Sequence, residues 1–518
     1  MKSTNAAQPG YTLPWIRIAS LANFALLGIL LLGLALRLVN WTNPPLDFHT
    51  WRQLRSASIA RGMYYQMDGN ADPVLKEKAV ETSRLFGLLE PNLFERIVAV
   101  TYLAIGKEFL PIARLYSIFF WMVGGLALYD MIRRISSRLA ALTGLAFYLV
   151  LPFGVTASRS FQPDPFMLMW VLLAINALYR WTESQSWKWA ALTGVFGGIA
   201  ILIKVFAVFP LGITCILMAL TTWGLARAIK SPQVWLAVAL MGLIPSIYYF
   251  ISIPGAAGEY IGGWVTGFQN LLSSIRFYFQ WMGYLDSLVG LIFVFLGGIG
   301  LFAYPPKGRI LAVGLWTGYI LYGLTVPSLI ITHSYYNLPL VPIVAFSLAP
   351  YGELIYSRLS QLPGLWRLAA IAAIVAAILY PSWLIRNNQV SQDYALEPRI
   401  WQRIGESLPK NAKIIALTHD YNTRIIYYGW TPVGSWVQTA DIQMNIMAGG
   451  NNDPNDPAWK EIFDQRTRDF DYFLVTLMGE LGNQPVIKNI LYENYPYTEG
   501  DGYILFDLKH PRSISSQP

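Results

Sequence analysis

Long apolar runs constrain this chain more tightly than any other feature of its sequence. A helix needs about 20 apolar residues to cross a bilayer core, and about eleven segments approach that length. They are Ile16 to Val39, Ile112 to Ile132, Leu139 to Ser158, Pro165 to Trp181, Trp189 to Ile203, Val205 to Ala226, Val234 to Ile253, Ser287 to Tyr304, Ile310 to Thr332, Leu338 to Tyr356, and Leu365 to Ile385. Hydrophobic residues make up 54% of the chain and charged ones only 13%, too little polar surface for a soluble globule. The expected class is an α-helical polytopic membrane protein. Lys2 and Arg17 precede the first run, which is too long for a signal-peptide core and reads as a retained span. Cys215 is the single cysteine, so no intrachain disulfide forms.

Lysine and arginine placement orients the spans. With a cytoplasmic N-terminus, the inner loops hold Arg133, Arg134, Arg138, Arg180, Lys188, Arg227, Lys230, Lys307, Arg309, Arg358 and Arg367. The short outer loops hold only Arg159, Lys204 and Arg276. This bias explains the net charge of +8 as topology, with no basic cluster for nucleic acid. It places the long first loop, 40–111, and the tail, 394–518, outside the cytoplasm. Within the loop, Thr50 to Met63 and Asn92 to Gly106 read as helices, the second an interfacial one. In the tail, Lys413 to Leu417, Tyr472 to Thr476 and Tyr503 to Leu508 read as strands, and Asp456-Pro457 caps a helix. The domains are thus a membrane module, 1–393, and a small extracytoplasmic α/β domain, 394–518.

Charges at the outer face need a partner or a task. Asp47 follows Pro44-Pro45 and opens the run Asp47-Phe48-His49-Thr50-Trp51-Arg52-Gln53. It reads either as a cap or ion pair with Arg52, or as a general base that takes a proton from an acceptor hydroxyl. Glu90 precedes Pro91 and reads as helix-dipole compensation or as a site carboxylate. Arg159 and Asp164 flank a proline turn, as an ion pair or as substrate ligands. Lys204 has no carboxylate nearby in sequence, so its ammonium either snorkels or holds a phosphate. His333, Tyr335 and Tyr336 open the tenth run as an aromatic belt or as part of a site. A metal held by His49, Glu90 and His333 lacks the spacing of a known motif.

In order and placement these segments resemble the bacterial relatives of protein O-mannosyltransferases and aminoarabinose transferases, glycosyltransferases of the GT-C class. The resemblance rests on Asp47 to Gln53, Glu90-Pro91, Arg114-Leu115-Tyr116-Ser117, Arg159 to Asp164, Leu202-Ile203-Lys204, and Tyr335 to Pro342. It implies an inverting transfer from a polyprenyl-phosphate sugar, without metal or other cofactor, at the outer face of a bacterial plasma membrane. Asp47 would be the base. Lys204 and Tyr335 would hold the donor phosphate, Arg276 more weakly, with His333, Glu90, Arg159, Asp164 and Arg52 around the substrates. The acceptor is a hydroxyl on a lipid, glycan or protein. This sequence differs in carrying Asp47-Phe48 where the family has an acidic pair, and Glu90 where aminoarabinose transferases often have lysine. A lipid-linked-sugar flippase is a rival reading, but it would spread its charges through the bilayer thickness. A surface-polysaccharide polymerase or ligase would use arginine-rich outer loops; a receptor built on the tail is a further alternative.

Overall fold

A computed structural model describes residues 14–87, 90–253, 261–450 and 453–512. Lys2 and Pro518 lie outside them. Each expected apolar run falls mostly on helix, but Leu139 to Ser158, Val205 to Ala226 and Ile310 to Thr332 are interrupted at Leu151, Gly224 and Val326; prolines stand at the first turn of Pro111–Ile135, Pro163–Ser184, Pro232–Ser246 and Pro306–Thr325. There the missing N–H costs nothing and the fixed φ suits a helix start. Among the described residues 6 helices are long and apolar enough to cross a membrane, or 7 if one bent pair counts as a span. The expected run Ser287 to Tyr304 straddles that bend. Helix Ile275–Leu288 meets Leu291–Ala303 at 92°, because Gly290 adopts a φ of 90° and the Leu291 N–H turns back to Asp286 Oδ1 at 3.0 Å. Apolarity continues through a turn that only glycine adopts easily.

Helices Trp187–Ile203 and Pro232–Ser246 approach closely through small residues. A Cβ on Gly194 would lie 2.7 Å from the Ala237 carbonyl oxygen, and one on Gly198 would lie 2.7 Å from that of Leu240. This packing fixes the helix whose end carries Lys204.

Three helices fill the first loop: Thr50–Met67, Pro73–Arg84 and Leu93–Ile105. The middle one shows too little apolar periodicity to be read from sequence; its start is set by Asp72, which accepts from the Leu75 N–H at 3.0 Å. On Leu93–Ile105, Phe94, Val98 and Tyr102 are buried while Val100, Leu103 and Ile105 stay exposed, an outer face suited to head groups.

The tail forms a mixed sheet of β1 (Ile414–Leu417), β2 (Val433–Ser435), β3 (Tyr472–Val475), β4 (Tyr497–Gly500) and β5 (Tyr503–Asp507), in the order β2-β1-β3-β5-β4. β1 runs parallel to β2 and β3, whereas β5 is antiparallel to β3 and β4. Its core gathers Trp436, Phe463, Phe473 and Phe506. The expected helix lies at Trp459–Thr467, with Asp456 accepting from the Ala458 N–H at 2.8 Å. Strands β2 and β4 are short or exposed along their length and carry no alternation to read.

Arg61 of the first loop joins the two parts. Its guanidinium lies 3.7 Å from the Tyr427 ring centroid and 4.0 Å from that of Trp430, and it pairs with Glu108 at 2.9 Å. The Tyr427 hydroxyl donates to the same carboxylate.

Candidate active site

The run from Asp47 to Gln53 turns from loop into helix Thr50–Met67, and its side chains leave in two directions. Asp47 does not pair with Arg52. Its Oδ1 accepts from Arg114 Nη2 at 3.2 Å and from Gln53 Nε2 at 3.3 Å. Oδ2 makes no hydrogen bond or ion pair among the described residues, so one carboxylate oxygen is held while the other is available to a proton. Arg114 sits in the first turn of Pro111–Ile135 and also donates to the Asn40 carbonyl at 3.2 Å.

Arg52 instead donates from Nη2 to Glu90 Oε2 at 2.8 Å. Glu90 is therefore an ion-pair partner across the loop, and the Asn92 that begins the next helix makes no side-chain cap bond. Burial acts to raise the Glu90 carboxyl, but Arg52, then Lys204 and Arg55, hold it below the usual carboxylate range. Burial likewise acts to lower Arg52, but Glu90 together with Tyr335, Tyr336 and Asp164 outweighs it, so the guanidinium stays charged. Nε and Nη1 of Arg52 carry no hydrogen-bond partner among the described residues.

Lys204 is not the unpaired cation that its sequence neighbourhood suggests. Its Nζ donates to Asp164 Oδ1 at 2.7 Å and lies 4.0 Å from Glu90 Oε1. Both members of the close pair are nearly sequestered, at 3% and 2% exposure. The reason is helix geometry. Asp164 lies in the first turn of Pro163–Ser184 and Lys204 caps the C-terminus of the antiparallel Trp187–Ile203, so each charge suits its helix end. The ammonium also lies 4.9 Å and 4.3 Å from the ring centroids of Tyr335 and Tyr336. Lys204, Asp164 and both tyrosines form the polar end of an otherwise apolar crevice of about 20 Å³ between membrane helices.

The expected Arg159–Asp164 pair does not form either. Arg159 Nη2 donates to the carbonyls of Val39 and Asn40 at 2.6 and 3.3 Å. Burial, then the neighbouring Arg114, lower Arg159 to about 10 against the opposing pull of Asp47, which leaves it charged at neutral pH.

His49 Nε2 and Ser334 Oγ are 2.7 Å apart, and its ring meets Tyr335 edge-on at 4.8 Å and stacks with His333 at 6.0 Å. Its φ of 44° is unusual for a side chain of this size and is held by these contacts. Burial lowers both imidazoles to about 4, helped at His49 by His333, Arg52 and Lys204, and at His333 by Arg52 and Lys204. Both are neutral near pH 7. Arg276 is exposed on Ile275–Leu288, and no ion pair among the described residues ties it to this cluster. Among those residues no three His, Cys, Asp or Glu side chains gather to hold a metal.

Sequence reading passed over several neighbours. Arg114 was visible as a charge opening an apolar span, and Gln53 as the end of the Asp47 run. Tyr421 of the tail packs edge-on against Trp51 at 6.4 Å. Tyr427 and Tyr428 line a second cavity of about 350 Å³ beside Arg114, Arg159 and Gln53. Hundreds of residues separate these tyrosines from the loop, and no local signal announces them.

A family model described as dolichyl-phosphate-mannose-protein mannosyltransferase matches residues 91–249. That stretch holds Arg114, Arg159, Asp164 and Lys204 and stops short of Asp47 and Tyr335. No curated protein matches the chain at the sequence level. The oligosaccharyltransferase AglB of Archaeoglobus fulgidus, in complex with an inhibitory peptide and a dolichol-phosphate, is similar in fold: TM-score 0.57 at 12% identity, over 96% of this chain and 75% of that one. Apo ArnT from Cupriavidus metallidurans aligns with TM-score 0.51 at 13% identity, over 94% of this chain and 98% of that one. The chain thus has the fold of the GT-C glycosyltransferases and resembles the O-mannosyltransferase and ArnT relatives.

Proposed function

We propose that the chain is an inverting glycosyltransferase that takes a sugar from a polyprenyl-phosphate donor and passes it to a hydroxyl acceptor at the extracytoplasmic face. The observation that carries this reading is the half-held carboxylate of Asp47, two residues before the His49 that packs into the cationic, tyrosine-lined cluster and held by Arg114 and Gln53, which line the cavity of about 350 Å³. Arg52 and Lys204 supply positive charge where a leaving phosphate would gain it, and Tyr335 lies against both cations. With two donor nitrogens uncommitted, Arg52 is the stronger phosphate ligand. Lys204 keeps Asp164 and contributes its remaining N–H groups. The crevice beyond Lys204 is too narrow for a prenyl chain as it stands, so the lipid tail stays in the bilayer with its head at the cluster.

On the opposite side of Asp47, the acceptor hydroxyl would give its proton to Oδ2 and attack the anomeric carbon. The sugar–phosphate bond breaks with its electron pair on phosphate, and configuration inverts. The carrier reading is supported by the dolichol-phosphate seen with AglB, and the transfer reading by the matching mannosyltransferase model.

Helix polarity supports the outer placement. Pro111–Ile135 has Arg114 near its start and Arg133 and Arg134 in its last turn, roughly 28 Å apart at 1.5 Å per residue. Pro163–Ser184 likewise runs from Asp164 to Arg180, and Trp187–Ile203 runs from Lys188 to Lys204. Three helices agree on which end holds the site and which end holds the basic residues of the inner loops. A reporter active only in an oxidising space should work at the C-terminus and fail after Arg134; the reverse would overturn the sidedness. The decisive assay offers purified protein in detergent a panel of radiolabelled polyprenyl-phosphate sugars. Release of the lipid phosphate with label in an acceptor supports the reading, and no turnover of any donor refutes it.

A further inference from the structure

In the strand order β2-β1-β3, the chain leaves β1 for the helix Thr423–Tyr427 on the sheet face of Ile414 and Ala416, and leaves β3 for Pro485–Asn494 on the face of Ile415 and Phe473. Departures to opposite faces open a crevice outside the two strand ends, which is where open α/β sheets hold their ligands. His419 and Thr476 follow those strands and bridge the crevice, with Nδ1 and Oγ1 3.1 Å apart. The turn after β1 is strained. Asp420, Tyr421 and Asn422 take φ of 52°, 53° and 68° in succession, a left-handed run without a glycine. Its surroundings fix it: Asn422 Oδ1 accepts from the Thr418 N–H at 3.1 Å, Asn422 Nδ2 donates to Ser435 Oγ at 3.0 Å, and the Tyr421 hydroxyl donates to Asp441 Oδ1 at 3.2 Å. The result is placement. The Tyr421 ring meets Trp51 edge-on at 6.4 Å, and the Trp51 ring centroid lies 5.7 Å from the Arg52 guanidinium.

Tyr394 ties the same sheet edge to the Asp47 carboxylate. Burial first, then Asp47, Glu397 and Asp420 against the pull of Arg424, raise its hydroxyl above the usual phenol range, so it remains a donor at neutral pH. Trp51, Tyr394 and Tyr421 are half-buried, and the Glu397 and Asp420 side chains keep 28% and 27% exposure, so none of the five is sealed from a ligand. Charge decides the kind of ligand. Glu397 and Asp420 share one cation, Arg424, and Asp441 is exposed beside Tyr421, so an anion gains nothing here and Arg424 opposes a second cation. Flat rings beside carboxylates suit a sugar, whose C–H face packs on the rings while its hydroxyls donate to the carboxylate oxygens. We propose that the acceptor is an uncharged glycan, and that Trp51 and Tyr421 form the wall on which one of its sugar rings stacks at the carboxyl edge of the tail sheet. That the glycan is an acceptor rests on the transferase reading above; the carbohydrate wall does not.

The test applies the full chain, in fluorescently labelled phosphatidylcholine nanodiscs, to an array of neutral, amino-bearing and anionic oligosaccharides, with empty discs as the blank. Neutral oligosaccharides should be retained. Tyr421→Asn removes the ring with a residue that tolerates the left-handed backbone, and should weaken the best neutral ligand about tenfold, as loss of an aromatic anchor does. Tyr421→Phe keeps the ring and gives up only the bond to Asp441, so its affinity should stay close to the parent's. This rescue separates stacking from a structural role of the hydroxyl. Retention of anionic or amino-bearing probes alone, no retention at all, or parent-like binding by Tyr421→Asn would each overturn the proposal, and so would an equal loss in both variants. Binding needs no turnover, which keeps two failures apart. A chain that holds neutral glycans through Tyr421 yet transfers no sugar refutes the transferase and spares the wall; a chain that transfers sugar but retains no neutral glycan does the opposite.

Discussion

Two groups of buried cations flank the Asp47 run, and they are neutralised differently. On the membrane side, Arg52 and Lys204 face Glu90 and Asp164 at 2.8 and 2.7 Å. On the tail side, Arg159 leans on backbone carbonyls and Arg114 shares Asp47. Carboxylates cancel charge and so hold a cluster together; carbonyls satisfy geometry and leave the charge in place. The first group is consequently a structural unit as much as a binding one. The second is held less by ion pairs than by backbone carbonyls and keeps more of its positive charge.

The largest expected effect tests the boundary between them. Asp47→Asn keeps shape and hydrogen bonding but cannot take a proton, so turnover of a lipid-phosphate sugar should fall roughly a hundredfold to ten-thousandfold with donor affinity preserved. Normal turnover would remove Asp47 from the mechanism. Next comes the structural claim for the membrane side. Lys204→Ala strands Asp164, whose Oδ2 is already unpartnered, and should cost about 3–5 kcal/mol of stability. Denaturation in detergent would show this, and Lys204→Met with Asp164→Leu should recover much of it. A stable Lys204→Ala variant would make the lysine a ligand only.

Arg52→Gln sharpens the division of labour within that side. Glutamine can still donate to Glu90, so the fold should survive while the KM for the donor rises about tenfold to a hundredfold. An acceptor KM that rises instead would exchange the roles of the two groups. The smallest effect concerns the imidazoles. His49 and His333 are lowered from 6.5 to about 4, so the unfolded chain binds more protons than the folded one across that window. Stability should therefore decline as pH falls from about 6.5 towards 4, and His333→Gln should flatten the slope in a thermal-denaturation series. An unchanged slope would mean these rings titrate normally.

Much of this architecture is legible along the chain. Apolar runs located the helices, since a helix satisfies its own backbone in lipid and needs nothing from elsewhere in the chain. Nothing along the chain marked the bend at Gly290, where apolarity does not change. Asp47, Glu90, Asp164 and Lys204 were all visible as charges at outer ends, because burying charge there is costly whatever the partner.

Which charge meets which was not legible. Local spacing offered Asp47 with Arg52 and Arg159 with Asp164, yet the pairs formed are Asp47–Arg114, Arg52–Glu90 and Lys204–Asp164, across 67, 38 and 40 positions. The sequence by itself determined the membrane class, the sidedness bias and the residues that demand partners. Tertiary packing decided the partners, because two helix ends brought together in space, and a tail domain clamped by Arg61, set distances that no spacing along the chain encodes.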